Sequence, residues 1–194
     1  MTSSYQKVVL MLEILCLLLA ANLDGYNSAG FVVDKGSAVA IEGGYALTAS
    51  HCISLGHTYK VDGVEVEVLK AFDDVVLLKF VGVYKGKVYR VAEKDYTYGG
   101  TCRAVGRVSG DRDMLPIQRV GGIVFMSGNN RPGDSGGGLF ADGKVVGICA
   151  SQYIDSKDKI WWNLGGRNEM VRLKSICCYS DIHVIHSCLE RNAK

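Results

Sequence analysis

Proline is nearly missing from this sequence, with two residues in 194, so it holds no proline-rich linker and no polyproline segment. Charge of one sign is lacking too: 22 basic residues face 20 acidic ones, for a net charge of +2. With both signs interspersed there is no electrostatic footprint for nucleic acid, and no nucleic-acid motif replaces it. No nucleic-acid partner is expected. Internal repeats are absent, and an apolar share of 48% excludes a disordered chain. Long hydrophobic runs are scarce as well. The longest, Val8 to Ala21, would span about 21 Å as a helix, short of the ~30 Å hydrocarbon core of a bilayer.

That run reads VVLMLEILCLLLAA and is broken only by Glu13. Lys7 ahead of it and the small Ala20 and Ala21 behind it suit a signal peptide, with a second candidate cleavage point after Ser28-Ala29-Gly30. Glu13 favours the alternative, an amphipathic helix packed on the domain. Residues 1–30 are therefore set apart as a signal- or anchor-like segment, with membrane association through residues 8–21. Seven cysteines cannot all pair within one chain. Either the thiols are reduced, or processing removes one, or at least one stays free.

Glycine is in excess: 24 residues, against a usual share of ~7%. Between Phe31 and about Gly147 it separates short, β-branched apolar runs: FVV, SAVAI, YALTAS, VEVEVL, VVLLKF, KVYRVA, GIVFM and KVVGICA. Val64 to Val68 alternates with period two, as a strand with one wet face does. Asp142-Gly143 between two apolar runs is a two-residue hairpin signal. Many short strands at this spacing define an all-β sandwich or barrel. The tail differs: Met170, Leu173, Ile176 and Cys177 fall near helical spacing, which predicts a C-terminal helix from about Asn168.

Three segments carry chemistry. Arg131-Pro132-Gly133-Asp134-Ser135-Gly136-Gly137-Gly138 sets a hydroxyl on a tight turn among backbone amides able to hold a developing oxyanion. Thr48-Ala49-Ser50-His51-Cys52 delivers a histidine from a strand onto a loop beside small residues. Asp73-Asp74-Val75-Val76-Leu77-Leu78 puts a carboxylate directly before an apolar strand, where a buried acid needs a partner. Taken singly, the last two read better as an ordinary surface or core histidine and a pair of turn residues capping a strand start.

In the order His51, Asp74, Ser135 these segments resemble the chymotrypsin-like, trypsin-fold serine endopeptidases. TASHC, DVVLLK and GDSGG stand where that family carries its base, its orienting acid and its nucleophile, and the Asp-x-x-Leu-Leu-Lys register selects Asp74 over Asp73. Gly100 to Gly106 is similar to the strand that opens the family's second barrel, and Val145-Val146-Gly147-Ile148 to the strand after its nucleophile. The resemblance implies two antiparallel six-stranded barrels over residues 31–167, followed by the helix and tail at 168–194. It implies a hydrolase acting through an acyl-enzyme. Ser135 would be the nucleophile and His51 the base, Asp74 would orient the base, and the amides of Gly133 and Ser135 would form the oxyanion hole. Asn129 would lie at the base of the primary pocket, with Ala150, Ser151 and Gln152 along the substrate-pairing strand. A neutral pocket base favours a small-to-medium uncharged side chain. The implied partner is a polypeptide, its own chain or a viral polyprotein included, with no cofactor and no metal.

The chain departs from the family in ways that carry expectations. The digestive members bury a new N-terminal ammonium against the acid before the nucleophile, after an Ile-Val-Gly-Gly start that is not found here. Asp134 must therefore find another partner. In the family Cys52 and Cys102 pair with cysteines where this chain has Gly36 and Ala141, and a third bridge would use the position of Arg131. Unpartnered thiols favour a reduced, intracellular or membrane-associated protein over a secreted one. The short loops look like those of the high-temperature-requirement and small viral proteases. Two readings of other classes compete: a non-catalytic, trypsin-fold binding protein, and a metal-binding tail built from Cys177, Cys178, His183, His186 and Cys188.

Overall fold

The computed structural model describes residues 20–30, 32–154, 159–164, 167–172 and 176–190, with only the backbone described for Val33 and for 151–172 within those ranges. Strands β1 (Ala21–Tyr26), β2 (Val32–Ile41), β3 (Tyr45–Ala49), β4 (Thr58–Val61), β5 (Val64–Phe72) and β6 (Val75–Phe80) close into a barrel in the order β1-β2-β3-β6-β5-β4. Strands β7 (Cys102–Gly106), β8 (Gly110–Val120), β9 (Ile123–Ser127), β10 (Gly138–Ala141), β11 (Lys144–Ile154) and β14 (Ile176–Asp181) close a second, in the order β10-β11-β14-β9-β8-β7. Between β11 and β14, β12 (Lys159–Leu164) and β13 (Arg167–Arg172) form a separate hairpin. Helix α1 (Ile182–Glu190) follows. The expected fold is thus the observed one: two closed six-stranded antiparallel barrels and a C-terminal helix.

Alternation along the strands explains how the barrels join. On β2, Ala38 and Ala40 fill the first barrel, while Val39 and Ile41 face away from it into a larger cluster with Leu139, Phe140 and Val145 of the second. On β6, Val76 and Leu78 point inward and Val75 and Leu77 outward into the same shared cluster. Strands buried on both faces read as continuous apolar runs, which is why AVAI and VVLL lack a polar alternation. Helix α1 adds Ile182, Ile185 and Cys188 to the shared cluster and packs on β6 and β5 as well as on β11 and β14. It is a brace across both barrels.

Three elements differ from the sequence reading. Residues 21–26, grouped above with the N-terminal apolar segment, supply β1, whose alternate residues Ala21 and Leu23 are buried in the first barrel. The run from Val8 to Leu19 lies outside the described residues. KVYRVA is not a strand but the crossing between barrels, with one bridge from Tyr89 to Ile41 and another from Val91 to Val145. The helix is shorter than the spacing suggests: residues 167–172 and 176–181 are strands, and only Ile182–Glu190 is helical. Five of the six residues of β14 are buried, and a run buried on both faces has no period that separates strand from helix. Among the described residues no helix is long and apolar enough to cross a membrane.

Candidate active site

Strand register brings the first two site residues together. Strands β3 and β6 pair with Ala49 opposite Val75, so the chain leaving β3 meets the turn entering β6, and the Ser50 amide donates to the Asp74 carbonyl at 3.1 Å. A single 3-10 turn, Ser50–Cys52, then presents His51. Its Nδ1 lies 3.3 Å from Asp74 Oδ1, and the Ser50 hydroxyl donates to the same oxygen at 2.5 Å. An ionised carboxylate only accepts, so the ring proton sits on Nδ1 and leaves Nε2 as the basic nitrogen. Asp73, by contrast, is an exposed turn residue with φ of 49°.

The electrostatics follow that geometry. The hydrogen bond to Asp74, and after it the one to Cys52, raise the His51 pKa from 6.5 to about 10 against a smaller opposing effect of burial. Burial pushes Asp74 upward, but the hydrogen bonds from His51 and Ser50 outweigh it and hold the carboxyl below its usual 3.8. Both groups keep partial access to solvent, with side chains 41% and 31% exposed.

The Ser135 loop is built from the second barrel and pinned to the first. Gly136 sits at φ +83°, and a Cβ there would strike the Ser37 carbonyl and the Thr48 hydroxyl, so this turn requires glycine. The amides of Asp134, Gly136 and Gly137 donate to Arg131, Cys149 and Asp134 carbonyls respectively, each at 2.9 Å. The Arg131 amide donates to Asp134 Oδ2 at 2.9 Å. Across the cleft, the Ser135 carbonyl accepts from the Ser37 amide at 2.8 Å and from the Cys52 thiol at 3.6 Å. Ser135 is thus anchored to the residue next to His51. Among the described residues, the amides of Gly133 and Ser135 have no acceptor.

Asp134 has found its partners. It is 1% exposed, and its Oδ1 accepts the amides of Val108 and Ser109, both at 2.9 Å. Oδ2 adds the Arg112 guanidinium at 3.3 Å. Burial alone would raise its pKa; hydrogen bonds from Ser109, Arg131 and Val108 keep it below 3.8. Three amides and an arginine thus supply the partners of the Asp134 carboxylate.

Beneath the loop, Asn130 rather than Asn129 makes the interior contacts. Its side chain accepts from the Tyr179 hydroxyl at 2.9 Å and from Arg112, and its amide donates to Cys149 Sγ at 2.9 Å. Asn129 is exposed. Ala150 is half-buried on β11, where the pairing to β14 slips between Cys149 and Ser151; the side chains of Ser151 and Gln152 lie outside those described. Sequence reasoning missed Ser37, Ser50, Arg112, Asn130 and Tyr179. The only available signal was the serine beside each glycine or histidine of the motifs.

The tail residues do not converge. The Cys177 thiol donates to the Gly128 carbonyl at 2.9 Å, Cys188 points at the Val75 carbonyl, and His186 Nε2 lies 2.8 Å from the Ala92 carbonyl. Among the described residues no group of three His, Cys, Asp or Glu side chains is placed to hold a metal. None of the six described cysteines is in a disulfide. A Cβ on Gly36 would lie 3.0 Å from Cys52 Sγ, and the β10–β7 register sets Phe140 opposite Arg103, the neighbours of Ala141 and Cys102.

Two closed six-stranded barrels and a C-terminal helix define the trypsin fold, with the His51–Asp74 pair on the first barrel and the Ser135 turn on the second tied to it through Ser37 and Cys52. Solved structures agree on that fold. A crystal structure of the Rv3671c protease in an inactive form superposes with a TM-score of 0.60 at 14% identity, covering 89% of each chain. A serine-to-alanine mutant of Rv3671c from M. tuberculosis H37Rv, also inactive, gives 0.57 at 13% identity, covering 89% of this chain and 87% of that one. At such identity the likeness is one of fold, and it does not single out the viral or the high-temperature-requirement type. No protein-family model matches the chain, and no curated protein does.

Proposed function

We propose that this chain is a serine endopeptidase whose reaction runs through an acyl-enzyme on Ser135. The observation that carries the reading is the pairing of a His51–Asp74 hydrogen bond on one barrel with a Ser135 turn on the other that leaves two amides unspent. Ser135 Oγ attacks the scissile carbonyl and passes its proton to His51 Nε2, which returns it to the leaving amine. Asp74 fixes the tautomer and stabilises the imidazolium. The Gly133 and Ser135 amides receive the oxyanion, where one donor contributes about 2.7–4 kcal/mol. The substrate is a polypeptide that pairs with Ala150 to Gln152 and sets an uncharged side chain toward Asn129 and its neighbours.

A fluorophosphonate tests the reading, because Ser135 Oγ would displace fluoride and form a phosphonate ester. Wild type is expected to label stoichiometrically and Ser135→Ala not at all, with the same circular-dichroism spectrum and melting temperature. An unlabelled but folded wild type would favour the non-catalytic binding protein instead.

A further inference from the structure

Ser37 is fully buried on β2, and each of its polar groups is engaged. Its amide holds the Ser135 carbonyl at 2.8 Å and its carbonyl accepts the Thr48 hydroxyl at 2.8 Å. Its hydroxyl donates to the Gly133 carbonyl at 2.7 Å and accepts the Arg107 amide at 2.8 Å. The Arg107 amide occupies a lone pair of the hydroxyl and so directs its proton to Gly133.

The consequence lies in which peptide planes are fixed. The Gly133–Asp134 plane is held at both ends, by Ser37 Oγ on its carbonyl and by the Arg131 carbonyl on its amide. The Ser135–Gly136 plane is also held at both ends, by the Ser37 amide and by the Cys149 carbonyl. The Asp134–Ser135 plane between them carries the Ser135 amide, and the Pro132–Gly133 plane just ahead of them carries the Gly133 amide. Gly133, at φ +99°, has a backbone freedom that other residues lack, so the bonds that fix the plane after it, the Ser37 one on its carbonyl among them, bear on where its own amide points. We propose that the Ser37 hydroxyl is the positioning group of the oxyanion hole, fixing the Gly133 turn from the opposite barrel. This rests on the protease reading and assigns the residue that shapes its transition-state site.

The test is the concentration dependence of fluorophosphonate labelling for wild type and Ser37→Ala under reductant. A positioning role lowers the limiting first-order rate by about 100-fold, the scale of losing one oxyanion donor. It leaves the half-saturating probe concentration, the final stoichiometry and the pH inflection of labelling unchanged, since the His51–Asp74 pair is untouched. A limiting rate within two-fold of wild type overturns the proposal, as does a loss seen only in stoichiometry or half-saturation. Should Ser37→Ala fail to fold, Ser37→Cys keeps the volume with a poor donor, and the same two outcomes decide. Failure of the wild type to label removes the protease reading itself, whereas a labelled wild type with an unaffected variant removes only the role of Ser37.

Discussion

Asp74 and His51 are coupled tightly enough for pH to expose their roles. Asp74→Asn removes the charge that holds the ring proton on Nδ1 and is expected to slow labelling about 10⁴-fold, as the same change does in the archetypal Ser-His-Asp enzymes. Nucleophilic attack needs neutral His51, so wild-type labelling should rise with pH through an inflection above 6.5, toward about 10, and Asp74→Asn should move that inflection down. Stability follows the opposite slope. A histidine whose pKa is raised by folding stabilises fully below 6.5 and loses that contribution as pH climbs through about 10, while the depressed Asp74 contributes above 3.8 and loses it as pH falls below. The melting-temperature gap between wild type and Asp74→Asn is therefore expected to be widest between pH 4 and 6.5; a gap that grows above pH 8 contradicts the pairing. At this scale the motifs were legible because the proposed catalysis requires particular side chains. Ser37 was not, since it bonds backbone carbonyls 96 and 98 positions away and backbone acceptors leave no residue signature.

Elements were legible where one face is wet and less so where both are buried. The Asp142-Gly143 turn announces its hairpin, and both residues adopt positive φ, at 49° and 74°, as a type I′ turn requires. The start of α1 was hidden because the strand ahead of it is buried on both faces and shows no period that ends at its local cap, Asp181. Asp181 ends β14, is fully buried, and accepts the amides of His183 at 2.9 Å and Val184 at 3.2 Å while its other oxygen holds Arg119 at 2.5 Å. One carboxylate thus terminates a strand, caps a helix and ties both to β8. Asp181→Ala loses a cap and a charge-assisted bond together, an expected cost of about 2–3 kcal/mol in urea unfolding. Asp181→Asn keeps an acceptor for the helix amides and should recover roughly half. A loss below ~0.5 kcal/mol for the alanine variant would mean that α1 is held by its apolar face alone.

At the scale of the molecule, the two barrels share one core, and this decides how the chain unfolds. The inner cluster of the first barrel is small, while Val39, Leu47, Val75 and Leu77 from the same strands belong to the cluster of the second. Opening either barrel strips apolar surface from the other, and α1 adds contacts to both. The arrangement favours a single cooperative transition over domain-by-domain melting. Native cysteines report on it without any engineered site: Cys52 lies in the first barrel, Cys102, Cys149 and Cys177 in the second, and Cys188 on the brace, all buried, with Cys178 partly accessible. Under native conditions iodoacetamide should modify Cys178 first among these six. Along a urea series, Cys52 and Cys149 should become reactive at the same midpoint, read by mass spectrometry of the alkylated peptides. If Cys52 reacts at a distinctly lower urea concentration, the first barrel opens alone, and the shared cluster does not couple the halves of the cleft on which Ser135 and His51 depend.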